Sequence, residues 1–110
     1  MTRESIGIYE GDANIFADLG RPDAEVHFLK AQIVAELYRC STERQLAEAR
    51  VAELLGVAAP DAAGLFKGKF REYSVEQLIS FLTAFNLDVE IVTRPSSTAG
   101  RGEVRFNPAA

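Results

Sequence analysis

The sequence has few of the residues that build catalytic, metal-binding or disulfide-linked sites. It contains one cysteine, Cys40, one histidine, His27, and no tryptophan. A single cysteine forms neither a disulfide nor a cysteine-based zinc site within one chain, so we expect Cys40 to be a small, half-buried apolar residue. Neither a nucleophile elbow nor a phosphate-binding glycine loop occurs. These absences predict a protein that is not an enzyme and uses no metal or cofactor.

Long apolar runs and an excess of positive charge are also missing. No stretch approaches the length of a membrane span, and Met1 is followed by polar and acidic residues rather than by the apolar segment of a secretory signal. We therefore expect a cytoplasmic protein with no membrane partner. The net charge is -4, whereas domains that hold nucleic acid by overall charge are usually basic. Any DNA binding must then come from a local basic patch.

The remaining composition is that of one folded domain. Of the 110 residues, 47% are hydrophobic and 25% are charged, which is ordinary for a globular protein and too apolar for a disordered one. We divide the chain into an N-terminal segment (1–21), a helical domain (22–86) and a C-terminal strand and tail (87–110). Residues 14–20 are interpreted as a loop or short helix whose apolar side chains anchor it to the core: Ile15, Phe16 and Leu19.

Two helices are predicted in the first half of the helical domain. After Asp23, apolar residues recur every three or four positions up to Cys40, which predicts a long amphipathic helix. A second helix is predicted over 46–55. Thr42 and Gln45 have the spacing of a capping box, so this second helix is expected to begin a few residues earlier.

Two further helices are predicted after Gly56, which can end the second helix in a left-handed conformation. The third begins at Pro60, a residue suited to a first helical turn, and stops at Gly68. The fourth follows a second capping-box pattern at 74–77 and ends near Asn86. The chain therefore carries four predicted helices in its central part.

The residue pattern changes after the fourth helix. Residues 87–93 nearly alternate between apolar and polar and are rich in β-branched types, which predicts a strand, and 104–106 could return beside it. A lone strand or hairpin in a small helical domain has unpaired edges, and the same strand of a second copy can pair with them. The C-terminal region therefore predicts a homodimer.

Two short helices joined around Gly56 have the spacing of a helix-turn-helix. The run 46–57 (LAEARVAELLGV), followed by Pro60 and 65–69 (LFKGK), resembles the Cro-repressor-like (XRE) helix-turn-helix family. More narrowly, it resembles the HigA-like antitoxins of bacterial toxin–antitoxin pairs. Three flanking blocks extend this resemblance over most of residues 14–95: 14–20 (NIFADLG), 74–78 (SVEQL) and 87–92 (LDVEIV).

The resemblance implies both a fold and a function. The fold is mainly α, a bundle of four to five helices of the lambda-repressor-like DNA-binding type, with 22–86 as the helix-turn-helix domain and a C-terminal β-strand or hairpin. The implied protein is a homodimeric transcriptional regulator that binds double-stranded operator DNA with its third helix in the major groove. As an antitoxin it would repress its own operon and have a small ribonuclease-type toxin as its protein partner.

The third helix departs from the family pattern at the positions that would read bases. These recognition-helix positions are Ala58, Ala59, Asp61, Ala62 and Ala63. The family usually has polar or basic residues there, whereas alanine offers only methyl contacts, and Asp61 repels phosphate or accepts a hydrogen bond from cytosine. A threonine and a glutamine are also usual where this chain has Ala47 and Glu48. The departures leave open whether the third helix still reads a DNA sequence.

Positive charge is concentrated just after the third helix. Lys67, Lys69 and Arg71 are predicted to contact phosphates and to set the register on DNA, with Arg44 and Arg50 as helpers. The alternative is an ordinary solvated loop.

Two functions therefore stay open. The first is a DNA-binding regulator and antitoxin, which the basic cluster and the family resemblance favour. The second is a protein-interaction antitoxin or scaffold whose degenerate helix-turn-helix no longer reads DNA, which the acidic net charge and the alanine-rich third helix favour. We rank the regulator ahead.

Overall fold

The structure is a computed structural model that describes residues 23–97, 100 and 102–108. The predicted N-terminal segment, 1–21, lies outside the described residues, together with its three apolar anchors: Ile15, Phe16 and Leu19.

Four helices make up the folded part of the described chain: α1 (Asp23–Glu43), α2 (Glu48–Leu55), α3 (Ala59–Phe66) and α4 (Val75–Ala84). The long α1 packs mainly against α4, while the short helices α2 and α3 pack against each other. The predicted, mainly helical fold is therefore confirmed. None of these helices is long and apolar enough to cross a bilayer.

One hydrophobic core lies between the helices. Its largest fully buried side chains come from α1, α3, α4 and the turn after α4: Ile33, Leu37, Leu65, Leu78 and Phe85. Burying a side chain of this size contributes roughly 1.5–3 kcal/mol. This contribution matters most for α2 and α3, because isolated helices of their length are not stable in water. Cys40 belongs to the same core and is only 4% exposed, so it is buried more deeply than the half-buried residue that the sequence predicted.

The junction between α1 and α2 differs from the prediction. Thr42 and Gln45 form no capping box, because Thr42 lies in the last turn of α1, where its hydroxyl donates to the carbonyl of Tyr38 at 2.9 Å. Gln45 follows in a turn with a φ of 57°. α2 begins only at Glu48, after the N-cap residue Ala47, whose side chain makes no capping hydrogen bond.

Gly56 ends α2 as predicted. Its φ of 74° is left-handed, and its N–H donates to the carbonyl of Ala52 at 2.8 Å. The next N–H, of Val57, donates to the same carbonyl at 3.1 Å, so the end of the helix is closed by backbone bonds. α3 then begins with Pro60 in its first turn and stops two residues before Gly68, close to its predicted bounds.

The predicted capping box of α4 is confirmed. The hydroxyl oxygen of Ser74 accepts from the N–H of Gln77 at 3.0 Å, and the side-chain oxygen of Gln77 accepts from the N–H of Ser74 at 2.8 Å. The helix ends just before Asn86, whose φ is 66°.

The region after α4 forms no strand within the described residues, so the C-terminal strand or hairpin stays a prediction. Leu87 and Phe106 pack against the hydrophobic core. Three large apolar side chains between residues 89 and 92 are exposed: Val89 by 37%, Ile91 by 76% and Val92 by 65%.

Candidate nucleic-acid interface

The two short helices are the structural unit from which the candidate site is built. α2 buries Val51, Ala52 and Leu55, and α3 buries Ala62 and Leu65. Burial of these residues leaves the first turn and the opposite face of α3 at the surface. A helix, a tight turn and a second, exposed helix in this arrangement are a helix-turn-helix.

α3 presents most of the predicted recognition positions to solvent. Three are exposed and one is half-buried: Ala58, Ala59 and Asp61, then Ala63. The prediction for Ala62 is wrong, because only 1% of this residue is exposed. Ala62 lies three positions before Leu65, so the two residues share the face of α3 that packs into the core. Ala62 therefore cannot contact a base.

The outward face of α3 carries no side-chain hydrogen-bond donor in its first two turns. It consists of alanine methyl groups, a proline ring, the carboxylate of Asp61 and the bare backbone of Gly64. Ala59, Ala63 and Lys67 are spaced by four residues, so they follow one side of the helix. Lys67, the exposed C-cap residue, is the first positive charge on this side.

Three cations follow the outward face, and we call them the basic loop: Lys67, Lys69 and Arg71. All three are exposed, and none forms a salt bridge with another described residue. The aliphatic stem of Lys69 lies beside Gly64, where an added Cβ would be 3.6 Å from the Cδ of the lysine. The structure therefore places this positive charge next to the second turn of α3.

Lys30 is a fourth cation at this site, and the sequence did not predict it. Its Nζ donates to the carbonyl of Arg71 at 3.0 Å, which ties α1 to the basic loop. Burial, to which the charge of Arg71 adds, lowers the pKa of Lys30. The contact spans 41 positions of sequence, so no local pattern could have revealed it.

Arg44 and Arg50 lie outside the basic loop and have other partners. The guanidinium of Arg44 donates to the carbonyl of Phe85 at 2.7 Å and lies 5.9 Å from the centre of its ring. Arg50 forms an exposed ion pair with Glu53 at 2.7 Å. Their roles in DNA contact stay predictions, but the structure does not group them with the other cations.

The lone histidine and the lone cysteine both serve in packing. His27 stacks on the ring of Phe70, with 4.9 Å between the ring centres. Cys40 is buried, and burial together with the nearby charge of Glu36 raises the pKa of its thiol. No group of three or more histidine, cysteine or acidic side chains that could hold a metal ion occurs in the described part of the chain.

A second surface, which carries exposed aromatic residues, lies along α1. Phe28 is 65% exposed and Tyr38 is 56% exposed. Tyr38 meets Phe66 edge to face, with 5.3 Å between the ring centres. The two rings border an open groove of about 440 Å³ between the end of α1, the start of α2 and the end of α3.

Comparison with known proteins agrees with this geometry. Residues 15–94 match the model of a helix-turn-helix domain family, so the chain belongs to the helix-turn-helix class of proteins. A solved structure of an XRE family transcriptional regulator is 32% identical in sequence, with a TM-score of 0.70, over 81% of this chain and 99% of that one. The chain therefore belongs to the XRE family. A comparison with curated protein sequences gave no match.

Proposed function

We propose that the protein is a DNA-binding transcriptional regulator of the XRE type that inserts the first turns of α3 into the major groove. The observation that carries the proposal is the exposed face of α3 beside the cations of the basic loop, which form no salt bridge with another described residue. In a helix-turn-helix, residues at the start of the second helix reach base edges, and neighbouring cations hold the phosphates. The net charge of -4 does not oppose this, because the phosphate contacts are local.

The further parts of the proposal rest on the resemblance to HigA-like antitoxins. The protein acts as a homodimer, represses its own operon, and neutralises a small ribonuclease-type toxin encoded beside it. It works in the cytoplasm, where the operator lies, and it has no catalytic activity and no cofactor. Reading the neighbouring open reading frames for a short basic protein is the first check of the antitoxin role.

The DNA-binding proposal is tested by titrating the protein against two fluorescent duplexes, one with the region upstream of its gene and one scrambled. We expect tighter binding to the upstream duplex. Replacing Lys67, Lys69 or Arg71 with alanine should weaken binding to both duplexes and reduce the slope of log K against log salt by about one unit per lost phosphate contact.

Arg105→Ala is the matched control for these variants. It removes the same charge, but the guanidinium of Arg105 is 77% exposed in the C-terminal region and faces Glu103 at 3.5 Å. Its salt slope should equal that of the parent protein. If the protein bound neither the upstream nor the scrambled duplex at low salt, about 50 mM, this result would contradict the proposal.

The exposed aromatic residues of α1 favour the second candidate, a protein-interaction antitoxin or scaffold. Phe28 and Tyr38 are both exposed on α1, and Tyr38 borders the groove beside Phe66; exposed aromatic residues of this kind often contact another protein. The two candidates differ in a simple way. A scaffold would retain its protein partner and bind no DNA, whereas a regulator binds the upstream duplex without the partner.

A further inference from the structure

The outward face of α3 is unusual for a surface that meets bases, because it offers one acceptor and no donor. Glutamine and asparagine pair with adenine, and arginine and lysine pair with guanine, through two hydrogen bonds. None of them occurs in α3, whose sequence is APDAAGLF. The first two turns of the face therefore lack the common contacts to purines, and Lys67 at the C-cap is the first donor on that side.

The groups that the face does carry match pyrimidines. An alanine methyl group packs against the C5 methyl group of thymine, and a carboxylate accepts from the N4 amino group of cytosine. Ala59 and Ala63 lie on one flank of the outward face, and the helical period of about 3.6 residues puts Asp61 on the opposite flank, roughly 160–200° around the helix. Asp61 is exposed and forms no side-chain hydrogen bond with another described residue.

The small side chains also allow the close approach that methyl contacts require. An alanine reaches only one bond beyond its Cα atom, so the helix backbone must lie deep in the groove. Gly64 continues the same face without a Cβ atom, although a Cβ there would meet only the stem of Lys69, at 3.6 Å. Packing within the protein therefore does not require glycine at this position, whereas a nearby DNA surface would favour it.

We propose that α3 reads pyrimidines in the major groove, with Ala59 and Ala63 against thymine methyl groups and Asp61 bound to the amino group of a cytosine. The basic loop then holds the phosphates on the flank of the same groove. This inference rests on the proposed DNA-binding function and names the chemical groups that the site recognises.

The test replaces every thymine of the upstream duplex with uracil, which lacks only the C5 methyl group. Affinity should fall about fourfold for each contacted methyl group, the factor that corresponds to ~0.8 kcal/mol. Two contacts would give a loss of about fifteenfold by the same estimate. The scrambled duplex, bound through its phosphates, should show no difference between its thymine and uracil forms.

Ala63→Gly provides the complementary change on the protein side. It should weaken binding to the thymine duplex and leave binding to the uracil duplex unchanged, because the methyl contact is already absent there. Ala35→Gly, at an exposed position inside α1, is the control for the loss of helix propensity, and it should bind both duplexes like the parent protein. Thermal melts establish that both variants are folded.

Asp61→Ala tests the cytosine contact. Removing a negative charge should raise affinity for the scrambled duplex, while the ratio of upstream to scrambled affinity should fall. Equal binding of the thymine and uracil forms of the upstream duplex would overturn the inference and leave the proposed function standing. Binding of neither the upstream nor the scrambled duplex would overturn the proposed function itself.

Discussion

Glu36 is a buried acidic residue of α1. Only 8% of the residue is exposed, and its carboxylate accepts two hydrogen bonds from the guanidinium of Arg39, at 2.6 and 3.0 Å. The hydrogen bonds from Arg39 are the main cause that lowers the pKa of Glu36. Because Arg39 also binds the exposed Glu43 at 2.7 Å, it is fixed between two carboxylates of α1.

The lowered pKa of Glu36 makes stability depend on pH in the acid range. In the unfolded chain the pKa of a glutamate is about 4.3. Because the folded pKa of Glu36 is lower, its carboxylate stabilises the fold above the unfolded pKa, and this contribution is lost as the pH falls through the folded pKa. Glu36→Gln should therefore destabilise the protein at pH 7 by about 1–2 kcal/mol, and the difference should shrink at acid pH. Urea denaturation of the parent and the variant at pH 7 and at an acid pH measures this difference in unfolding free energy.

Glu53→Gln is the control for the Glu36 substitution. It breaks an ion pair with the 2.7 Å distance seen for Arg39 and Glu43, but the side chains of Arg50 and Glu53 are 56% and 69% exposed. Solvent screens such a pair, so the change should alter stability by less than about 0.5 kcal/mol. A Glu36 variant as stable as this control at neutral pH would show that the buried pair does not stabilise the fold.

Single residues differ in how far the sequence determines their role. The left-handed Gly56 was predictable, because a glycine after an apolar helix end has one common use. The burial of Ala62 was predictable as well, because it lies three positions before Leu65, and this burial excludes the base-reading role also predicted for Ala62. The binding of Arg44 to Phe85, by contrast, joins residues 41 positions apart, which no local pattern encodes.

At the level of helices, α2 and α3 begin without side-chain caps. Ala47 and Ala58 both have the extended backbone of an N-cap residue, yet neither can accept a hydrogen bond from the first turn. α4 by contrast has the complete capping box of Ser74 and Gln77. The helix-turn-helix pair is therefore less stabilised at its starts than α4.

Exchanging alanine and serine at two N-cap positions is predicted to have opposite effects on stability. Ala47→Ser should stabilise the protein by about 0.5–2 kcal/mol, and Ser74→Ala should destabilise it by a similar amount. Thermal melts should show shifts of roughly 4–8 °C per kcal/mol. Ala35→Ser, at an exposed position inside α1, is the control and should lower stability slightly. Equal melting of the Ala47 variant and its parent would contradict the capping argument.

The same capping pattern was correct before α4 and wrong before α2. At 74–77 no preceding helix competes for the serine, so the local pattern decides the structure. At Thr42 the apolar face of α1 continues inward through Cys40, and burial of that face keeps Thr42 in the earlier helix. A local capping pattern therefore determines where a helix begins only when tertiary packing does not hold the same residues in another element.

For the molecule as a whole, the exposed apolar side chains after α4 are the structural basis for the proposed homodimer. Ile91 is 76% exposed and Val92 is 65% exposed, in a segment whose sequence alternates like a strand. A strand forms its backbone hydrogen bonds with a neighbouring strand, and a single chain does not contain a strand that a second copy would supply. The described residues form no strand, so the strand stays a prediction.

Ile91→Lys should convert the dimer to monomers, because it places a charge in the proposed strand pair. Light scattering or sedimentation at micromolar concentration measures the effect. Phe28→Lys is the matched control, since it adds the same charge at another exposed apolar residue, on α1. Dissociation by the Phe28 substitution alone would place the interface on α1 instead. A strictly monomeric parent protein would contradict the homodimer.

The packing of the first described helix against the last has a consequence for how the protein is made. Just beyond the ends of α1 and α4, the guanidinium of Arg44 donates to the carbonyl of Phe85, 41 positions later in the sequence. During synthesis α1, α2 and α3 leave the ribosome before the helix that completes their core, and such non-local contacts slow folding. A chain whose synthesis stops before α4 would therefore leave uncovered the apolar faces of α1 and α2 on which α4 packs.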